Sequence, residues 1–120
     1  MAKSFEIQRS PFKVPTNDGK VILEHFGKAS ISADISVAHM IAPPGWEEPF
    51  QCPEFDEYTI IIRGKKQIIV EDEKIILNAG SSIKVNKGVR VKYSNPFNEV
   101  CEYIAICKPP FTLEKSNRES

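Results

Sequence analysis

Short segments with a two-residue alternation of apolar and polar side chains recur along most of the chain. In residues 89–94 every second side chain is apolar, which is typical of a strand with one buried and one solvated face. No segment shows the periodicity of an amphipathic helix. Strands are predicted at residues 20–26, 34–41, 58–62, 67–70, 74–77, 83–85, 89–93 and 100–107. The pattern therefore predicts an all-β domain.

Glycines and prolines separate these segments in a regular way. No proline lies between Pro53 and Pro96, so the strands predicted there are free to pair in the centre of a sheet. Glu71-Asp72-Glu73 is predicted to be a tight hairpin turn. Many short strands with frequent turns favour a sandwich or a barrel. The polar C-terminal residues 112–120 are expected to form a loose tail.

The apolar positions also indicate which strand faces are covered. In the segment 34–41, Ile35, Val37, His39 and Ile41 share one face, which we expect to be the inner one. Residues 60–62 and 68–70 are apolar on both faces. Since a barrel with one core should be polar outside, a second subunit is the simplest cover for these side chains, and a homodimer is expected.

Composition narrows the function classes. The 120 residues fit one domain, and 16 basic and 16 acidic residues give zero net charge, so nothing points to nucleic acid or an anionic membrane as a partner. No signal-peptide core and no apolar run near the ~20 residues of a spanning helix are present. The three cysteines fit no metal-finger spacing, and reduced thiols in a cytoplasmic protein are expected.

Two segments carry a family resemblance. Residues 45–64, GWEEPFQCPEFDEYTIIIRG, and residues 80–95, GSSIKVNKGVRVKYSN, resemble the two sequence motifs of the RmlC-like cupin superfamily. The spacing fits without an insertion at six anchor positions, which are Gly45, Glu57, Gly64, Gly80, Gly88 and Asn95. The resemblance implies a single small cupin domain over 1–120, a jelly-roll β-barrel (double-stranded β-helix) with N-terminal strands in 1–32 and a barrel core at about 33–110. It extends to the metal-poor cupin domain of the ethanolamine-utilisation protein EutQ.

The departures from the family motifs concern its metal ligands. Gln51, Pro53 and Val91 stand where the family has histidines, and of the four implied ligands only Glu57 remains. Proline and valine offer no donor atom, so we expect no metal and no cofactor. A metal centre with substituted ligands is an alternative, in which His39 would be the replacement ligand. A core histidine is the favoured interpretation of His39.

Glu57 is the candidate catalytic residue. The resemblance implies an inward carboxylate, and in an apolar barrel without a metal its pKa should be raised, as suits a general acid or base. Alternatively, Glu57 pairs with an internal polar group and only organises the cavity. Candidate ligand-binding residues around it are, by strand parity, Gln51, His39, Thr59 and Tyr93, with Tyr103 on a strand whose inner face the pattern does not determine.

These observations leave three hypotheses about function. The leading one is a small-molecule-binding cupin, with a metal-independent isomerase, epimerase or lyase using Glu57 as one form of it. The second is a non-catalytic module for dimerisation or partner binding, whose cavity would be filled by side chains. An open pocket of several hundred cubic ångströms around Glu57 would count against this second hypothesis. The third is a metalloenzyme with substituted ligands.

Overall fold

The computed structural model describes residues 4–120, and these form nine strands and one short helix. The elements are β1 Phe12–Val14, β2 Val21–Phe26, β3 Ser36–Ala42, β4 Asp56–Arg63, β5 Lys65–Val70, β6 Glu73–Asn78, β7 Ser82–Val85, β8 Val91–Ser94, β9 Cys101–Lys108 and α1 Leu113–Ser116. The prediction of an all-β single domain is confirmed, and each strand predicted from the pattern is present; β1 and α1 were not predicted. No helix in the described range is long and apolar enough to cross a membrane.

The strands form two sheets that enclose one core. The larger sheet has the order β1-β2-β3-β9-β4-β7, and the smaller one has the order β6-β5-β8. All pairings within them are antiparallel. Buried side chains of both sheets meet in one cluster, which includes Ile61 and Tyr103 from the larger sheet and Ile68 and Tyr93 from the smaller one. The architecture is therefore a two-sheeted barrel.

Gly64 is the corner where the chain passes from β4 in the larger sheet to β5 in the smaller one. Its φ is 79°, in the left-handed region that favours glycine. A Cβ at this position would lie 2.2 Å from the carbonyl oxygen of Val100. Both the backbone conformation and the close approach require glycine, which explains this anchor of the motif in physical terms.

Asn95 has an equally clear structural role. Its side chain is fully buried, and its Nδ2 donates to the carbonyl oxygens of Ala42 (3.2 Å), Pro43 (3.2 Å) and Glu99 (2.8 Å). Its Oδ1 accepts from the backbone N–H of Phe97 at 3.2 Å. The side chain thus joins the end of β3 to the loop that leads into β9.

The inner face of β3 is the opposite of the one expected. Ala38 and Met40 line the cavity between the sheets, whereas His39 and its neighbours on the same parity point away from it. His39 Nε2 lies 2.6 Å from Glu102 Oε2 on the adjacent β9. The expectation that His39 faces the interior is therefore wrong. The reason is that β3 is apolar on both parities, so apolarity does not mark its inner face.

The larger sheet carries an apolar outer face, as its sequence pattern indicates. Ile60 is 44% exposed, while Ile61 beside it is buried in the core. The residues facing outward from neighbouring strands, which we call the outer sheet face, are Val37, His39, Ile41, Tyr58, Ile60, Glu102, Ile104 and Ile106. The face is mainly apolar and includes one polar pair, His39 and Glu102. An exposed apolar face of this kind suits a contact with another protein surface.

The C-terminal residues pack against the barrel. Thr112 caps α1, its Oγ1 accepting from the Lys115 backbone N–H at 3.1 Å. Beyond the helix, the Glu119 N–H donates to the Phe50 carbonyl at 2.8 Å, and the Glu119 carboxylate pairs with Arg90 at 2.7 Å. The expectation of a loose tail is therefore wrong, because the partners that hold it lie far away in the sequence.

Candidate functional site

A cavity of about 120 Å³ lies between the two sheets. Its walls come from β2, β3, β4 and β9 of the larger sheet and from β5 and β8 of the smaller one. The side chains that carry its chemistry are Glu48, Gln51, Glu57, Lys66, Tyr93 and Tyr103. The cavity is smaller than the usual volume of sites for drug-sized ligands, so any occupant is a small molecule.

Glu57 projects into this cavity from β4. The strand register places it beside Cys107 of β9 and Val85 of β7, on the inner face of the sheet. The residue is half-buried and lines the cavity. Among the described residues, no hydrogen bond or ion pair is made by its carboxylate. Removal from water raises the pKa of Glu57 to about 7, and the Glu48 carboxylate adds to this, against the opposing effect of Lys66.

Lys66 faces the same cavity from β5 and was not predicted as a site residue. It is 2% exposed, and its Nζ lies 3.4 Å from the ring centroid of Tyr103 and 4.5 Å from that of Tyr93. Within the described range, its ammonium makes no hydrogen bond or ion pair. Burial lowers the pKa of Lys66 to about 8, although the Glu57 carboxylate acts in the opposite direction.

Glu57 and Lys66 therefore form an acid and a base that share a cavity without touching. Each influences the pKa of the other, but no ion pair joins them. The pKa of Glu57 is raised and that of Lys66 is lowered, so burial brings the two pKa values towards each other. The neutral form of the pair is therefore more accessible than in water, and a small molecule can lie between its members.

Three other charged groups at the cavity, Lys20, Glu48 and Arg118, are paired with one another. Glu48 Oε2 lies 3.6 Å from Lys20 Nζ and 3.1 Å from Arg118 Nη2. Arg118 Nε in turn donates to Gln51 Oε1 at 3.4 Å. Lys20 also lies over the ring of Trp46, 4.3 Å from its centroid. This chain of contacts neutralises Glu48, and it uses the amide oxygen of Gln51 that would otherwise be free to face a ligand.

Some of the remaining residues expected at the site line the cavity, and others do not. Gln51, Tyr93 and Tyr103 line the cavity together with Glu57. Burial raises the pKa values of both tyrosines well above the usual value, so their hydroxyls stay protonated. Thr59 is buried on the inner face, but it does not line this cavity. Two buried hydroxyls, those of Thr59 and Tyr93, have no hydrogen-bond partner among the described residues.

The residues present do not fit a metal centre of the type found in the family. Val91 is fully buried and offers no donor atom, and the Gln51 oxygen is bound to Arg118. A divalent cation beside Glu57 would also face the ammonium of Lys66 across the cavity. In residues 4–120, no group of three or more histidine, cysteine or acidic side chains is placed to hold a metal ion.

Comparison with known families and curated proteins gives two matches in sequence. The model of the family described as "Cupin domain" matches residues 38–107. The chain is also 44% identical over 108 residues to a protein named endoribonuclease YbeY from Myxococcus xanthus (strain DK1622). That match covers 89% of this chain but only 37% of the relative, so the chain spans little more than a third of the length of that protein.

Solved structures share the fold at low sequence identity. An RmlC-like cupin from Shewanella frigidimarina NCIMB 400 has a TM-score of 0.72 at 14% identity, covering 90% of this chain and 92% of that chain. A putative ethanolamine utilization protein Q from Salmonella typhimurium LT2 has a TM-score of 0.59 at 17% identity, covering 75% and 69%. Ectoine synthase from P. lautus has a TM-score of 0.69 at 14% identity, covering 83% and 70%. These likenesses confirm the expected double-stranded β-helix.

Proposed function

The chain belongs to the cupin domain family, and from this premise we propose that it binds a small molecule in the barrel cavity, where Glu57 and Lys66 act as an acid–base pair without a metal. One observation carries the proposal. A half-buried carboxylate and a buried amine, neither of which has an ion-pair partner among the described residues, face the same cavity. Unpaired buried charges are unfavourable for folding, so their presence favours a role with a ligand.

The chemistry that this pair supports is proton transfer on carbon or oxygen. A carboxylate whose pKa is near neutrality accepts a proton efficiently without being fully protonated at rest. In the proposal, Glu57 takes a proton from a carbon next to a carbonyl group, and the ammonium of Lys66 stabilises the negative charge that develops on the oxygen. Returning the proton to another position gives isomerisation or epimerisation, and loss of a neighbouring group gives a lyase reaction.

The size of the cavity limits the ligand. A volume of about 120 Å³ suits a molecule of only several non-hydrogen atoms. The structural neighbour named ectoine synthase supports the idea that a barrel of this fold can act on a small molecule, since its name is that of an enzyme with a small-molecule product. An open pocket of several hundred cubic ångströms would count against a non-catalytic module. The cavity is smaller than that, so its volume does not distinguish the two hypotheses.

The test uses a library of small carbonyl compounds and carboxylic acids. Binding is measured by thermal shift and then by calorimetry, and exchange of ligand C–H for deuterium is followed by NMR in D₂O. We expect Glu57→Gln and Lys66→Met each to reduce binding or exchange by at least about tenfold. The control is Glu73→Gln, because Glu73 is an exposed carboxylate on β6. Equal activity of all variants with an identified ligand would refute the proposal.

A second candidate function, a partner-binding module, is favoured by the relative from Myxococcus xanthus. There, a segment like this chain makes up 37% of a longer protein that is named an endoribonuclease. We propose as the alternative that the chain associates with an endoribonuclease domain. Light scattering of the chain mixed with the unmatched part of that relative tests this. A stable complex supports the module, and two separate species at tens of micromolar remove it.

A homodimer through the outer sheet face is part of the proposal. Its support is the apolar character of that face, on which Ile60 is 44% exposed and Ile104 and Ile106 are half-buried. Replacing Ile60 with glutamate should give a monomer in light scattering. The control is Ile76→Glu, since Ile76 is 50% exposed on the smaller sheet. A wild-type monomer at micromolar concentration contradicts the dimer.

A cytoplasmic location is also proposed, on the support of three free cysteines that form no disulfide in the described residues. Cys52 is exposed and would be open to oxidation in an oxidising compartment. Fractionation of cells expressing the tagged protein tests this. Recovery from an extracellular or periplasmic fraction contradicts it.

A further inference from the structure

Lys66 has a property that acid–base chemistry does not use, since a primary amine is also a nucleophile. The side chain enters a cavity where the rings of Tyr93 and Tyr103 lie against it, and its Nζ has no partner other than these two ring faces among the described residues. Tyr103 and Tyr93 hold the amine in one place, which lowers the entropy lost when it reacts. A buried amine in an apolar pocket is the type of lysine that forms covalent adducts with carbonyl compounds.

We propose that Lys66 forms an imine with a small aldehyde or ketone bound in the cavity. This inference rests on the proposed function, because it requires that the cavity admits a small ligand. The ligand class is set by the chemistry of the site. The ligand must carry an unhindered carbonyl group and few other atoms, because the cavity measures about 120 Å³.

The bond changes can be written with the groups that line the cavity. The Lys66 nitrogen, as the free amine, adds to the carbonyl carbon, the C–O π pair moves to oxygen, and a proton passes from nitrogen to oxygen. The carboxyl group of Glu57 then gives its proton to the hydroxyl group, water leaves, and the nitrogen lone pair completes the C=N bond. The products are water, a protonated imine and the Glu57 carboxylate. Atoms and charge balance without a further reactant.

The electrostatics of the cavity support this sequence. The step begins from the neutral form of the pair and ends with a cation on nitrogen and an anion on Glu57, which is the charged form of the same pair. The lowered pKa of Lys66 makes a substantial fraction of free amine available near pH 8. Of the remaining charged lining groups, Lys20, Glu48 and Arg118 are already paired with one another, and Glu24 accepts hydrogen bonds from Ala29 and Ser30. These groups therefore do not compete for Glu57.

The test is reductive trapping with two small carbonyl probes that differ in charge, glyoxylate and acetaldehyde. Each is incubated with the full chain and sodium cyanoborohydride at about pH 8, and the modified lysines are located by peptide mass mapping. We expect Lys66 to be alkylated about tenfold faster than Lys65, which is an exposed neighbour on the same strand. The larger fraction of free amine outweighs the lower nucleophilicity that accompanies a lower pKa.

Three variants complete the design. Lys66→Met should remove the fast adduct, Lys65→Met should leave it unchanged, and Glu57→Gln should slow it several-fold while leaving Lys65 alkylation unchanged. Far-UV circular dichroism and the Tm of each variant show that it is folded. If Lys66 in the wild-type protein reacts no faster than Lys65 with either probe, the imine is overturned.

The outcome separates this inference from the proposed function. If Lys66 is not trapped but Glu57→Gln still abolishes binding or deuterium exchange of an identified ligand, the imine is wrong and the acid–base proposal stands. If Lys66 is trapped at the same rate in the wild-type protein and in Glu57→Gln, the amine is reactive but the proton-transfer role of Glu57 is wrong.

Discussion

The perturbed pKa of Glu57 predicts an unusual dependence of stability on pH. The pKa of Glu57 is raised from 4.5 to about 7 in the folded state, so between these values the folded protein binds more protons than the unfolded chain. The contribution of Glu57 to the free energy of unfolding is therefore largest below its pKa in the unfolded chain. This contribution is lost as the pH rises through its pKa in the folded protein. Integrated from about pH 5 to about pH 7.5, the free energy of unfolding should fall by about 2 kcal/mol.

Lys66 extends the prediction to alkaline pH with the opposite sign. Its pKa is lowered from 10.5 to about 8, so the folded protein binds fewer protons than the unfolded chain between these values. Stability from Lys66 is present above the unfolded pKa and is lost as pH falls through the folded pKa. Together the two groups should produce a minimum of stability between about pH 7 and pH 8, where both are charged in the cavity.

The assay is urea denaturation at a series of pH values for the wild-type protein and for Glu57→Gln. Titrating groups other than Lys66 affect both proteins alike, so the difference between their free energies of unfolding reports Glu57 together with its effect on Lys66. That difference should change by about 2 kcal/mol from about pH 5 to about pH 7.5. The control Glu73→Gln, at an exposed position, should follow the wild type. A change below about 0.5 kcal/mol for Glu57→Gln would refute the reasoning that its cavity excludes water.

Three further substitutions test the structural roles assigned above, each by urea denaturation against the wild type. Asn95→Ala should lower the free energy of unfolding by about 2–4 kcal/mol, because three backbone carbonyl groups lose their donor. Gly64→Ala should lower it by about 3 kcal/mol or prevent folding, because the new Cβ would meet the Val100 carbonyl at 2.2 Å. Arg118→Met should cost only about 1 kcal/mol, because the guanidinium that pairs with Glu48 is partly exposed. Effects within about 0.5 kcal/mol of zero contradict the assigned roles.

The strands could be predicted from the sequence because their signals are local. Alternation with period two and the positions of turn residues lie within a few residues of each other, and Glu71 indeed forms the β5–β6 turn with φ of 53°. The face of β3 could not be predicted in this way. His39 shares its parity with apolar Val37 and Ile41, but the opposite parity carries Ala38 and Met40, so hydrophobicity alone does not decide between them.

The candidate site was only partly visible in the sequence. Glu57 follows from the spacing of the family motif, but Lys66 looks like a solvated lysine at the start of a strand. The sequence feature that indicates an inward Lys66 is its position two residues before Ile68. Alternate residues of a strand face the same side, and Ile68 packs in the core. Its surroundings come from Tyr93 and Tyr103, which lie in other strands far along the chain. Such contacts exist only once the barrel has closed, so they leave no local pattern.

The central position of β9 has a consequence for how the protein forms during synthesis. β9 is the last strand in sequence, yet it lies between β3 and β4, and its Cys107 pairs with Ser36. The larger sheet therefore cannot close until residues 101–108 have left the ribosome. Until then, β3 and β4 each present an unpaired edge that is open to intermolecular pairing. Folding should thus be slow, since the decisive pairing joins distant parts of the chain.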